Sequence, residues 1–262
     1  MNVFFEPEKI LITTLLISCI IQTLFFILAA ILKTDKFTDL TYGLTFILLS
    51  IFSILISGNF TKYKIILLFI IVIWAVRLIT YLFKRILIMK KDKRFDGVRE
   101  NFLKFAQFWF FQAISVWIIL LPSIIILTSG NIIELTYMSL LGIIYWLIGM
   151  IFETIADIQK FCFKLNPKNK DKWISSGLWK YSRHPNYFGE ILCWFGIFVY
   201  IFPNLKGIQI FSIISPLYIT ILLLFVSGIP ILEKSYNERF KNNKEYQKYK
   251  KETSILIPLV NR

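Results

Sequence analysis

The chain has a single histidine, His184, and three cysteines, Cys19, Cys162 and Cys193, among 262 residues. One imidazole cannot assemble a zinc centre of the usual histidine and cysteine kind. Three widely spaced thiols, odd in number, support neither a disulfide framework nor a metal site. There is no Gly-x-Gly-x-x-Gly turn and no Gly-rich phosphate loop, so a bound nucleotide would have to be held without a Rossmann turn. No Pro-, Gly- or Ser-rich linker divides the chain and no internal repeat occurs, so residues 1–262 read as one membrane domain. A cleavable leader is also missing: Glu6 and Glu8 precede the first apolar run and no small-residue cleavage site follows, which makes that run a retained anchor. Acidic residues are scarce as well, 16 against 30 Lys and Arg, for a net charge of +14.

Apolar sequence is what the chain has in abundance. It makes up 56% of the residues, the mean hydropathy is +0.66, and it comes in blocks near 8–32, 40–57, 63–84, 108–129, 135–156, 186–203 and 207–230. Each block is about long enough to cross a hydrocarbon layer roughly 30 Å thick. In lipid such blocks must be helices, because a lone strand leaves its backbone groups unpaired. The expected fold is therefore an all-α, multi-pass membrane bundle of about seven helices.

The cations fall on one side of these spans. With the N-terminus outside, the outer gaps hold only Lys62, Lys64 and Lys206. The inner side holds Lys33 and Lys36, the cluster Lys84 to Lys104, the cluster Lys160 to Arg183, and the C-terminal run from Lys234. This asymmetry is the positive-inside bias and puts the C-terminus in the cytosol. It accounts for the net charge through anionic headgroups and membrane lipids. Nucleic acid is not an expected partner, because no basic stretch forms a soluble module of its own. Usage rich in Ile, Lys and Asn points to a bacterial inner membrane rather than an endoplasmic reticulum. Residues 231–262 read as an amphipathic cytoplasmic segment. Its regularly placed tyrosines, Tyr246 and Tyr249, and its apolar ending favour docking back onto the bundle over a solvated basic tail.

Polar residues placed where lipid is expected carry the functional signal. In the third span Trp74, Arg77 and Tyr81 recur at helical spacing and share a face. Glu153, Asp157, Lys160 and Lys164 do the same at the end of the fifth. The densest cluster is Gly177-Leu-Trp-Lys-Tyr-Ser-Arg-His-Pro-Asn-Tyr-Phe-Gly-Glu190. There Arg183, His184, Asn186, Tyr187 and Glu190 gather at one turn and the helix start behind it. Pro185 suits the first helical position, and the residue before it is biased to an extended backbone. The free N–H groups of that helix start would favour an anion on the cytosolic side. Arg94, Lys164, Lys172 and Arg183 are the cations available to phosphates.

At these residues the chain resembles bacterial multi-pass proteins related to the steroid 5α-reductase C-terminal domain. The match rests on the run from Ser176 to Glu190, with support from Trp74-Ala-Val-Arg-Leu78, Lys93-Arg-Phe95, Phe110-Phe-Gln112, Ala156-Asp-Ile-Gln159, Ser227-Gly-Ile-Pro230 with Glu233-Lys234, and Tyr246, Tyr249 and Pro258. The resemblance implies a seven-helix bundle whose cofactor enters from the cytosol. Its superfamily holds steroid and sterol reductases that use NADPH, and isoprenylcysteine carboxyl methyltransferases that use S-adenosylmethionine. Matching to the reductases implies NADPH contacts at Asp157, Lys164, Asn186, Tyr187, Glu190, Trp194 and Tyr236, beside the cluster residues Arg183 and His184 and the cation Arg94. The expected activity is reduction of a conjugated C=C bond in a lipophilic small molecule. A membrane methyltransferase and a non-catalytic lipid-binding protein stand as alternatives. One departure matters. The 5α-reductases hold the substrate carbonyl with a glutamate of the second span and a tyrosine of the third, whereas residues 40–57 here contain no Glu and the tyrosine column falls at Trp74. Tyr81, one heptad on, is the substitute proton donor this implies. The substrate's identity and the oligomeric state are left open by the sequence.

Overall fold

The computed structural model describes residues 7–89, 95–131 and 133–259. Among them no strand forms, and the chain runs as α1 (Pro7–Ile31), α2 (Lys36–Ser57), α3 (Lys62–Met89), α4 (Phe102–Thr128), α5 (Tyr137–Leu165), α6 (Pro185–Ile201), α7 (Ile214–Ile221), α8 (Ile229–Arg239) and α9 (Lys244–Glu252). Seven segments are long and apolar enough to cross a membrane, the last being the composite stretch Gly207–Arg239. The protein is an all-α, multi-pass membrane bundle.

The chain divides into two compact units. One holds the chain up to Thr136 together with Ile201–Ser215; the other holds Tyr137–Tyr200 and the chain from Pro216 on. In the first, α1 packs on α2 and α4, and α2 packs on α3 and α4. Lipid is as apolar as leucine, so apolar contact alone does not set the register of such helices; polar contacts must contribute. The Gln112 side-chain amide donates to Gln22 Oε1 at 2.9 Å and to the Thr38 carbonyl at 3.0 Å, while Gln22 donates to Thr45 Oγ1 at 2.9 Å. Ser18 adds a hydroxyl bond to the Ala113 carbonyl at 2.9 Å. Three helices, α1, α2 and α4, are thereby tied to one another through four short polar links. At the end that the charge bias assigns to the cytosol, Arg99 Nη1 meets the buried Asp35 at 2.7 Å.

The second unit is built on a seam of glycines. A side chain on Gly149 would meet the Gly189 carbonyl oxygen and the Cys193 nitrogen at 2.7 Å; one on Gly189 would meet the Glu153 nitrogen at 2.5 Å and the Gly149 carbonyl oxygen at 2.6 Å. Gly142 and Gly196, one heptad away on each helix, abut the opposite backbone in the same manner. The spacing of seven keeps all four on one stripe of α5 and α6, so the two backbones touch along most of the crossing. That close approach is what lays the C-terminal end of α5 beside the start of α6.

Two spans differ from the sequence expectation. The fifth continues past residue 156 to Leu165 as one helix. The seventh is not uniform. It opens as a 3₁₀ turn at Gly207–Ile213, becomes α7, and then widens into a π turn over Leu222–Val226, closed by a Ser227 N–H bond to the Leu222 carbonyl at 2.8 Å. Pro230 explains the break before α8. It has no N–H to give and its ring excludes an α-helical carbonyl four residues earlier, so the helix must restart. Ser227 and Gly228 form the joint, and α8 leaves it with Pro230 in its first turn.

The seam gives a direct expectation. Gly149→Val overpacks a backbone contact and costs about 3 kcal/mol or more, seen as a lower melting temperature of the detergent-solubilised protein. Gly130→Ala, with open space around it, leaves melting unchanged.

Candidate functional site

The signature turn is held from two directions, both within the second unit. Gly177 takes a left-handed φ of +61° and packs bare against the Gln159 side chain, whose Oε1 accepts the Leu178 N–H at 3.0 Å. Trp179 then donates its indole N–H to the Ala156 carbonyl at 3.1 Å, with the Lys160 ammonium 4.7 Å from its ring centroid. These contacts fasten the turn to the end of α5. From the other side comes the C-terminal segment. The Arg183 N–H donates to the Ser254 carbonyl at 2.8 Å, Ser182 Oγ donates to the Leu256 carbonyl at 2.7 Å, and the Tyr249 hydroxyl donates to the Trp179 carbonyl at 2.7 Å. The segment after α8 therefore docks, as its tyrosine spacing suggested.

Two consecutive side chains of the turn converge on one carboxylate. Arg183 Nη1 pairs with Glu233 Oε2, and His184 Nε2 lies 3.0 Å from Glu233 Oε1. All three side chains are largely withdrawn from solvent. Burial pushes the His184 imidazole below its usual pKa, and the charges of Lys160 and Arg183 act in the same direction; the bond to Glu233 opposes them without winning. A pKa below that value favours the neutral imidazole at pH 7. A carboxylate already paired with arginine can only accept, so Nε2 carries the proton and Nδ1 is a bare lone pair. That Nδ1 is buried with no protein partner, as are Arg183 Nε and Asn186 Oδ1. Buried polar atoms are normally paired. Within four residues the protein thus leaves one donor and two acceptors without a partner.

The other expected residues are spread over several elements. Tyr187 stacks on His184, rings 8° from parallel and centroids 5.7 Å apart. Glu190 follows one turn later on α6, half-buried, and Trp194 is fully buried a turn beyond it. Asp157 is buried on α5, whereas Lys164 and Lys172 are exposed to solvent. Tyr236 lies on α8 in an aromatic wall with Trp173, Phe240, Tyr246 and Tyr249; Trp173 sits 5.3 Å from both Phe240 and Tyr246. Burial in this wall pushes the Tyr246 phenol up to about 12. Tyr81 belongs to the first unit, on α3, with the Arg77 guanidinium 5.6 Å from its ring centroid. Arg94 falls outside the described residues. Arg183, expected as a free cation for phosphate, is committed at one nitrogen to Glu233.

Sequence reasoning left Glu233 and Trp173 out of the site. For Glu233 a signal existed: an arginine and the lone histidine side by side in a low-dielectric setting call for a carboxylate, and Glu233 is the first carboxylate after the last apolar block. Trp173 gave none, since an isolated tryptophan in a loop carries no spacing.

Two expectations follow. Glu233→Gln leaves a buried arginine without its counter-charge and costs about 3 kcal/mol, read as a lower melting temperature. A depressed histidine pKa means that the folded form binds fewer protons than the unfolded form. His184's contribution to stability is then full above the ordinary imidazole value of about 6.5 and is lost as the pH falls below it. Melting temperatures measured from pH 8 to pH 5.5 decline for the native chain, and the decline is smaller in His184→Gln.

Comparison with known proteins is consistent with this architecture. A family model described as a protein of unknown function, DUF1295, matches residues 25–253. Over a stretch of 46 residues the chain is 41% identical to the probable O-methyltransferase ustE of Ustilaginoidea virens, which covers 18% of this chain and 16% of that protein. No solved structure matches significantly. The family match spans most of the chain, including the signature turn and both helices that hold it: the protein belongs to the DUF1295 family, which is related to the steroid 5α-reductase-like membrane enzymes.

Proposed function

We propose that this protein is a membrane reductase that uses NADPH to reduce a conjugated C=C bond in a lipophilic substrate. The observation that carries the proposal is the orphaned set at the start of α6: Arg183 Nε, His184 Nδ1 and Asn186 Oδ1. The set asks a ligand for two hydrogen-bond donors and one acceptor, which is the inventory of a primary carboxamide such as that of nicotinamide. The electrostatics lean the same way. Lys160 and Arg183 act on His184, and Arg183 and Lys250 act on Glu233, so three cations bear on the His184–Glu233 pair. A dinucleotide carrying several phosphate charges is favoured there.

In this role NADPH supplies the hydride, and the protein supplies binding and orientation. Glu233 holds His184 in one tautomer and keeps Arg183 from turning away. Asn186 and His184 accept from the ligand while Arg183 donates. Tyr187 and Tyr236 offer flat faces beside the same point. Asp157 and Glu190 are the carboxylates available for hydroxyl groups of a bound nucleotide, and Trp194 is buried one turn beyond Glu190 on α6.

A second proposal, transfer of a methyl group from S-adenosylmethionine, is favoured by one observation, the partial likeness to a protein named as a probable O-methyltransferase. An adenine amino edge would also satisfy the orphaned set. The two are separated by thermal stabilisation of the purified protein with NADPH, NADH, S-adenosylmethionine and S-adenosylhomocysteine. A ligand at one hundred times its dissociation constant stabilises by about 2.7 kcal/mol, or about 5 °C for a chain of this size. NADPH is expected to give that rise, and Asn186→Ala to weaken its binding about tenfold through the lost acceptor. A rise with the adenosyl ligands alone establishes the second proposal, and no rise with any of the four overturns both.

A further inference from the structure

The segment that closes over the signature turn has two faces, and only one is used by the site. On α9, Tyr246 is buried and Tyr249 bonds to Trp179; Lys250 reaches back to Asn237 Oδ1 at 2.8 Å, and Thr253 is buried. The opposite face carries Lys244, Lys248 and Lys251. With Lys241 and Glu252 these line a shallow concavity of about 490 Å³. The acids near it, Glu245 and Glu252, leave the four lysines in excess, and Glu252 is only 4.0 Å from Lys248.

Beyond α9 the chain passes beside the turn. Ser254 and Leu256 give their carbonyls to Arg183 and Ser182, and the Leu259 N–H donates to the Tyr181 carbonyl. Ile255, Ile257 and Leu259 are left 44%, 55% and 59% exposed. Large apolar side chains left in water at three alternate positions are unusual in so short a stretch. The height of this stretch is also defined. It is bonded to residues 181–183, which directly precede the Pro185 start of a membrane span. A membrane surface at the start of that span would put residues 254–259 at the boundary between headgroups and acyl chains, with the lysine face of α9 one short helix away.

We propose that the lysine face of α9 and the outward side chains of Ile255, Ile257 and Leu259 together form a docking surface for anionic lipid. The apolar tips enter the interface as those of an interfacial anchor do, and the lysines take the headgroup phosphates. Each surface lysine contributes roughly a fivefold gain in partitioning to an anionic leaflet. Because the same segment donates Tyr249 and Ser254 to the signature turn, lipid charge also sets how firmly the turn is closed.

The test uses the full chain in nanodiscs of phosphatidylcholine, or of phosphatidylcholine with phosphatidylglycerol, and reads amide hydrogen exchange over residues 244–259. Exchange is expected to slow about tenfold in the anionic discs, and the difference to disappear in Lys241→Gln/Lys244→Gln/Lys248→Gln/Lys251→Gln. Ile255→Ser/Ile257→Ser speeds exchange in both lipids. Equal exchange in the two discs overturns the proposal. So does a lipid difference that survives the four lysine substitutions, or faster exchange that fails to follow loss of the isoleucines. Equal slowing by inorganic phosphate in neutral discs overturns it as well, by assigning the surface to a soluble anion.

Discussion

One carboxylate organises the second unit. Glu233 accepts from Arg183 and from His184, and these two residues lie between the loop that follows α5 and the first turn of α6. An arginine and an imidazole so far withdrawn from solvent would be unstable neighbours without an anion between them. With the anion in place, the arginine is fixed as a cation and the histidine as a neutral ring with its proton toward Glu233. The unpaired edge of the turn follows from that arrangement: once Glu233 has taken Nη1 and Nε2, what remains is Nε of Arg183, Nδ1 of His184 and the amide oxygen of Asn186.

Reaching that geometry takes three backbone devices. The glycine stripe brings α5 and α6 into backbone contact. Gly177 turns the loop onto Gln159, and the π turn with its Ser227–Gly228 joint lets α8 restart at an angle a continuous helix would not allow. Each trades regular helix geometry for position. In a bilayer this is tolerable because the affected backbone groups find partners within the protein, as Ser227 does at Leu222. The first unit uses a different solution, a short chain of glutamine, threonine and serine bonds among α1, α2 and α4. Two kinds of packing, small residues in one unit and polar side chains in the other, meet the same problem of associating helices without a hydrophobic drive.

Much of this was legible beforehand, and for definable reasons. Seven apolar blocks separated by charged gaps leave little freedom in lipid, so helix number and helix positions follow from length alone. The signature turn stood out because arginine, histidine, asparagine and glutamate are costly beside a span. The breaks in the seventh span were harder to see. Leu222 to Val226 is uniformly apolar and carries no mark of a π turn, although Pro230 after Gly228 hinted at an interruption. Glu233 was visible as a residue but not as a partner, since fifty positions separate it from Arg183 and only the restart of α8 brings it back. Arg183 was expected to meet phosphate because its charge was counted without its counter-charge. Trp173 lies in a loop whose conformation depends on contacts with α8 and α9 that no local pattern encodes.

Because the chain has a single histidine, nitrogen-15 labelling of that residue isolates one imidazole in the whole protein. The account predicts resonances of a neutral ring protonated at Nε2 with a bare Nδ1 at pH 7, and a clear displacement of the Nδ1 resonance when NADPH is added. A ring protonated at both nitrogens, or one whose Nδ1 resonance is unmoved by saturating NADPH, would contradict it.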